Sequence, residues 1–326
     1  LTLGGGVGWL MRKHGLTVDN LLAADVVTAD GERLRASEDE HPDLFWALRG
    51  GGGNFGVVTA FEFRLHSVGP TVLAGPIAWD ASNVGELLRF YRDFVRNAPD
   101  ELGTIVKFTT VPPLPIIPEH LHWRKVVMVG TCYAGPIEDG EKVLRPLRAF
   151  RTPLLDLVGP KPYVDFQSAL DSTVLHGWNY YWKATHLPAL HDDLIDVIGE
   201  HALSASSPRS YVAMFHLKGA VGRVAESATA FGNRQASHAI IIHAAWRPGE
   251  DFGDRETAWT RRFFAALGRF RQGVYVNFLG DDEESDRVRE AYGDGIYDRL
   301  VEVKTKYDPD NVFHHNQNIR PRSKAH

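Results

Sequence analysis

This chain has almost no cysteine, no long apolar run and no block of one charge sign. Cys132 is the single cysteine, which excludes an intramolecular disulfide and a thiolate zinc cluster. No apolar stretch approaches the roughly 20 residues of a membrane-spanning helix. The 36 basic and 41 acidic residues are dispersed and give a net charge of −5. Without a basic stripe, neither nucleic acid nor a membrane surface is an expected partner. Position 1 is Leu1, and no signal-peptide pattern follows it. The opening residues Leu1 to Gly6 read as the middle of a domain. The expectation is therefore that an N-terminal portion, with any targeting signal, lies outside this chain. Cytoplasmic residence is the default, and oligomeric state is not legible.

Glycine, by contrast, is concentrated. Four consecutive glycines, Gly50 to Gly53, stand between Pro42–Leu48, which reads as a short helix, and Val57–Leu65, rich in β-branched and aromatic residues and read as a strand. Glycine has no side chain to pack and loses the most backbone entropy on folding, so such a run marks close approach of main chain to something. Gly51, Gly53 and Gly56 match the spacing of a nicotinamide-dinucleotide fingerprint. That fingerprint requires strand, glycines, then helix; here the order is reversed, and the nicotinamide reading is rejected. A second cluster, Gly4, Gly5, Gly6 and Gly8, precedes a short helix ending at Gly15. Ala29-Asp30-Gly31 supplies a hairpin turn. Two such clusters, each beside a short strand, point to a shared ligand.

After residue 70 the character changes. Val84, Leu87, Leu88, Tyr91, Phe94 and Val95 follow helical spacing, as do apolar residues in 136–150 and 190–198. Strands are expected at 104–111, 125–133, 180–183, 211–218, 237–246 and 275–278. Strands in series with grouped helices suggest an α+β fold with an antiparallel sheet backed by helices. His120 and His122 share a strand face if that segment is extended, but no third ligand stands beside them, and no metal site is expected.

The combined motifs resemble the berberine bridge enzyme-like oxidoreductases of the vanillyl-alcohol oxidase superfamily. The resemblance is carried by Gly4 to Gly8, Arg12 to Leu16, Asp19-Asn20, Ala29 to Gly31, Asp43 to Arg49 and Gly50 to Thr59, and by Tyr307 to Phe313 and Asn316 to Ile319 near the end. It implies the second half of a PCMH-type FAD-binding domain over 1–70, a substrate domain over 71–285 whose sheet lies over the flavin, and a segment 286–326 returning to the FAD domain. It also implies FAD as cofactor, with Gly4, Gly5, Gly6, Gly8, Asp19, Asn20, Gly52, Gly53, Asn54, Gly56, Val58, Asn277, Asn316 and Asn318 around it. The implied activity is oxidation of a small-molecule alcohol, sugar or amine by hydride transfer to flavin N5, with O2 as acceptor.

Two departures follow. The family's upstream His and Cys that attach flavin covalently have no counterpart here, since Cys132 falls in the substrate domain and reads as a small buried residue. Where sugar-oxidising relatives have a tyrosine base at the end of the word beginning at Tyr275, this chain has Phe278, which accepts no proton. Tyr275 remains a candidate, expected to point with Asn277 and away from Phe278. Tyr181 and Lys183, on one face of a substrate-domain strand, are the other catalytic candidates. A non-catalytic or degenerate flavin binder is the rival reading.

Overall fold

The computed structural model describes residues 1–171, 174–280, 282–283, 285–315 and 317–323. In chain order the elements begin with α1 (Met11–His14), β1 (Leu21–Val27), β2 (Arg33–Ser37), α2 (Pro42–Leu48), β3 (Val57–Phe63), β4 (Thr71–Asp80), α3 (Val84–Arg96), β5 (Leu102–Thr110), β6 (Lys125–Tyr133) and α4 (Ile137–Arg148). They continue through β7 (Leu155–Asp156), β8 (Gly159–Pro162), α5 (Tyr163–Ser168), β9 (Asn179–Leu187), α6 (Asp192–His201), β10 (Tyr211–His216), α7 (Ala220–Arg223) and β11 (His238–Trp246). The last are α8 (Gly253–Leu267), α9 (Ser285–Tyr292) and α10 (Asp294–Tyr307).

These elements form two units. The first comprises residues 1–66, 218–236 and 272–326; the second comprises 67–217 and 237–271. The expected substrate domain, 71–285, is interrupted: 218–236 and 272–285 belong to the first unit. Long-range polar links hold them there. Trp46 Nε1 donates to the Ser227 carbonyl at 2.9 Å, and Asn277 Nδ2 to the Leu1 carbonyl at 3.1 Å.

In the first unit β1 is the centre of a three-stranded antiparallel sheet ordered β2-β1-β3. Gly31, at φ 84°, makes the β1–β2 turn in a backbone region that side-chain-bearing residues avoid. Helix α2 starts with Pro42, whose missing N–H is no loss in a first turn, and buries Leu44 through Leu48. The Lys304 ammonium of α10 is fully buried and held by three oxygens: Asp308 Oδ2, the Asn54 carbonyl at 2.8 Å and the Phe313 carbonyl at 2.8 Å.

The second unit is an antiparallel sheet ordered β7-β4-β6-β5-β10-β11-β9, with β8 also pairing with β4. Its core lies between one sheet face and the helices. Trp79, Phe108, Val129, Met214 and Ile242 meet Leu88 and Tyr91 of α3, Ile195 of α6 and Phe263 of α8. The helical spacing in 84–95 forms because it places Val84, Leu87, Leu88, Tyr91 and Val95 on one buried stripe. Cys132 is buried on β6, and burial pushes its thiol up to about 12. No described helix is long and apolar enough to cross a membrane.

Two expected strand features differ. His120 and His122 lie in and just after a single 3-10 turn, Glu119–Leu121, where the chain reverses, so they share no strand face. His122 Nε2 is instead within hydrogen-bonding distance of the Ile117 carbonyl, at 2.9 Å. Among the described residues no group of three metal-ligating side chains exists. Residues Val276–Phe278 form a 3-10 turn rather than a strand, closed by N–H bonds from Phe278 and Leu279 to the Tyr275 and Val276 carbonyls.

Candidate active site

The two glycine clusters meet through one carbonyl. Leu3 O accepts from Gly50 N at 2.9 Å and from Gly52 N at 3.0 Å. A Cβ at Gly50, whose φ is 138°, would collide with the Phe231 backbone, and one at Gly5 with the Phe231 ring. Gly4 abuts the Asn277 amide and Gly6 the Thr17 side chain in the same way. Glycine is needed here because main chain at Gly50, and side chains at Gly4, Gly5 and Gly6, fill the space of a Cβ. Several of the N–H groups are turned inward. Those of Gly5, Gly6 and Gly51 donate to Thr2 O, Tyr275 Oη and Ala47 O.

Other glycines of the set are open. A Cβ at Gly8 would meet nothing within 4 Å, and one at Gly52 only Asn54 Nδ2, at 3.7 Å. Gly52 and Gly53 form the turn between the clusters' shared carbonyl and Asn54. Gly56 leads into β3, pressed against Val26 and the Val27 carbonyl, and Val58 pairs with Val26 in the sheet.

Tyr275 is buried beside the first cluster. Its phenolic oxygen accepts from Gly6 N at 2.8 Å and from Asn277 Nδ2 at 2.6 Å. Burial raises its pKa, and these two donors only partly offset the effect. Because the backbone turns at 276–278, Phe278 does not point away as strand alternation predicts. Its ring packs edge-on against Tyr275, with centroids 4.9 Å apart.

The C-terminal segment meets the second cluster. Asn54 Oδ1 accepts from Ile319 N at 3.1 Å, and Asn54 Nδ2 donates to Gln317 O at 3.1 Å and Gly51 O at 2.9 Å. Asn318, between those two tail residues, has a buried Oδ1 with no hydrogen-bond partner among the described residues. Asn316 lies outside the described residues. Asp19 and Asn20 are engaged within the unit. Asp19 accepts from the fully buried Arg234 guanidinium at 2.7 and 3.1 Å and from Leu16 N at 2.9 Å. Asn20 Nδ2 donates to the His14 and Leu16 carbonyls, both at 2.9 Å, and its Oδ1 meets His66 Nε2.

In the second unit Tyr181 and Lys183 do share a strand face, and it is the helix-packed one. Lys183 pairs with the core residue Ile242, and Tyr181 Oη accepts from Arg261 Nε of α8 at 2.9 Å. The opposite face carries a group that the sequence reading missed: Lys107, Tyr180, Trp182, Tyr211 and His243. His243 pairs in register with Tyr211 and Trp182, and its ring stacks on Tyr211 at 4.6 Å. Each residue alternates correctly along its own strand. What the sequence withholds is the register among β5, β10, β11 and β9.

The match to known proteins follows this frame. Residues 274–320 match the family described as Berberine and berberine like. An FAD-linked oxidoreductase of Dictyostelium discoideum is 30% identical over 98% of this chain and 68% of its own length. The chain belongs to the berberine bridge enzyme-like FAD-linked oxidoreductases. (R)-6-hydroxynicotine oxidase of Paenarthrobacter nicotinovorans is 30% identical over 98% of the chain and 70% of that protein. The solved structure of 6-hydroxy-D-nicotine oxidase from Arthrobacter nicotinovorans matches with a TM-score of 0.82 at 27% identity, covering 99% of this chain and 71% of that one. The cofactor of this berberine bridge enzyme-like protein is FAD, and the residues present fit it. The backbone is open at Gly8 and at Gly52, the latter 3.7 Å from Asn54 Nδ2, and Asn54 holds the tail that carries Asn318, whose buried Oδ1 has no partner among the described residues.

Proposed function

We propose that the protein oxidises a small organic substrate at a carbon bearing a hydroxyl or amino group, with FAD held by the two glycine clusters and the C-terminal segment. Bound FAD supplies a hydride acceptor at its N5 and, in an oxidase, passes the electrons to O2. The observation that carries this reading is the union of Gly50 and Gly52 with the first cluster at Leu3 O, with Asn277 against Gly4 and Asn318 beside Asn54. Open backbone at Gly8 and Gly52 gives an anionic pyrophosphate close approach without side chains in the way. Amides such as Asn277 and Asn318 can donate and accept, as a flavin edge requires.

Tyr275 enters this reading as a positioning residue. Two donors already point at its oxygen and burial raises its pKa, so at neutral pH it keeps its proton and fixes the Gly6 loop. Tyr181 and Lys183 stay outside the reacting set because they lie on the helix-packed sheet face, Tyr181 against Arg261 of α8. The alternative, a flavin binder without turnover, is favoured by Phe278 closing against Tyr275 with no acidic hydroxyl of its own. The visible spectrum under anaerobic conditions tests both. Yellow protein bleached by a substrate, with H2O2 formed on readmitting O2, supports oxidation. Yellow protein bleached by no alcohol, sugar or amine supports the alternative, and colourless protein contradicts both.

A further inference from the structure

We propose that the sheet face of the second unit opposite its helices, around Lys107, Tyr211 and His243, binds a planar aromatic substrate that carries an anionic group. This rests on the oxidoreductase reading above and narrows its substrate. Register places Tyr211 and Trp182 beside His243, and Lys107 beside Ala213 on the same face. The rings of Tyr180, Trp182 and Tyr211 lie 5.2, 6.2 and 4.6 Å from the His243 ring. Such an array offers a flat ligand stacking area at little entropic cost.

Charge then selects among flat ligands. Lys107 Nζ sits 4.2 Å from the Tyr211 ring centroid and has no ion pair or hydrogen bond among the described residues. Its neighbours on that face across β5, β10, β11 and β9 include Ala184, Ala213, Phe215, Ala239 and Ile241, and register brings no carboxylate or side-chain amide to it. An unpaired ammonium in a partly desolvated, aromatic-walled position gains most from an anion. A cationic amine finds no counter-charge there and meets Lys107 as a repulsive element. An oligosaccharide needs many fixed donors and acceptors, and the polar side-chain atoms of this face around His243 are the tips of Lys107, Tyr180, Trp182, Tyr211 and His243. One is His243 Nδ1, which is buried and has no hydrogen-bond partner among the described residues.

Protonation agrees with this. Burial lowers the Lys107 amine to about 8, so it is charged at pH 7 and loses that charge as pH rises past 8. The titratable groups on this face are Tyr211, pushed up to about 12, His243 and His186, each pushed down to about 4, and Tyr180, raised by burial. The residue beside it on β6 is the uncharged Met128. Lys107 alone changes charge between pH 7 and 9 on this face.

The test is calorimetric titration of the purified protein with 2-naphthoate, 2-naphthylmethanol, 2-naphthylmethylamine and cellobiose. The proposal expects 2-naphthoate to bind tightest and to weaken about tenfold in Lys107→Met, the scale of one charge-assisted contact. Lys107→Arg should keep the preference, 2-naphthylmethanol should change less than about twofold, and naphthoate affinity should fall above pH 8 in the wild type only. Equal naphthoate binding by wild type and Lys107→Met at matched melting temperatures overturns the proposal. So does tighter binding of the amine or of cellobiose, or no binding of any probe. Flavin content is read separately on the same preparation. A substrate-bleachable yellow protein without naphthoate preference sinks this inference alone. A colourless protein with that preference sinks the oxidoreductase reading and leaves the surface standing.

Discussion

The two units solve the packing problem in opposite ways. The second presses side chains between a sheet and helices, and its large buried residues, such as Trp79, Phe108 and Phe263, are apolar or aromatic. At its glycine clusters the first brings bare main chain against other main chain, as at Gly50, or against side chains, as at Gly4 to Gly6, and it ties distant segments with buried polar groups, Arg234 to Asp19 and Lys304 to Asp308. The second unit should therefore suffer most from emptied apolar sites, and the first from broken buried ion pairs and from atoms added at its closely packed glycines. That difference has a functional side: a surface made of backbone suits an anion, whereas a surface made of side chains discriminates among substrates.

The largest effects should come from deletions. Trp79→Ala empties a fully buried site and orphans the Phe150 carbonyl, which Trp79 Nε1 reaches at 2.8 Å. A loss of about 3–5 kcal/mol is expected, with hydrogen-exchange protection falling first in the second unit. Asp19→Ala strands the fully buried Arg234, and about 3–5 kcal/mol should be lost from the first unit. Exchange that loosens both units equally in either variant would break the comparison.

Acid should act next, and on the second unit. Burial holds the His186 and His243 imidazoles down to about 4 from an ordinary 6.5. The unfolded chain then binds protons that the folded one refuses, so stability is intact above pH 6.5 and lost as pH falls toward 4. The loss is at most about 3 kcal/mol per histidine. Thermal melts from pH 7 to 4 check this, and His186→Gln should flatten the slope.

Addition comes third. Gly50→Ala places a methyl against the Phe231 backbone at a φ of 138° and should cost about 2–4 kcal/mol through strain and overpacking. A melting temperature equal to that of the wild type would contradict the claim that chain-on-chain approach demands this glycine. The smallest effect is expected at Gly8, where nothing lies within 4 Å. A side chain there should change stability by about 0.5 kcal/mol or less.

Much of this was legible in the sequence where periodicity or local chemistry decides the outcome. The apolar spacing of Val84 to Val95 becomes α3, and Gly15 and Gly31 stand where the backbone needs positive φ. The glycine words and the closing tail carried the family. What stayed hidden depends on distance and register. Arg234 lies 215 residues from Asp19, and nothing local marks 218–236 as part of the first unit. Tyr275 to Phe278 alternates like a strand, yet hydrogen bonds to its own carbonyls turn it. Lys107, Tyr211 and His243 come from three strands that only sheet pairing aligns.

The central claim is that backbone at the glycine clusters holds FAD, and fluorescence titration of FAD into wild type and Gly8→Leu tests it most directly. The account predicts binding by the wild type and affinity weaker by about tenfold or more in Gly8→Leu, with both proteins melting at the same temperature. Equal FAD affinity in the two proteins would contradict it.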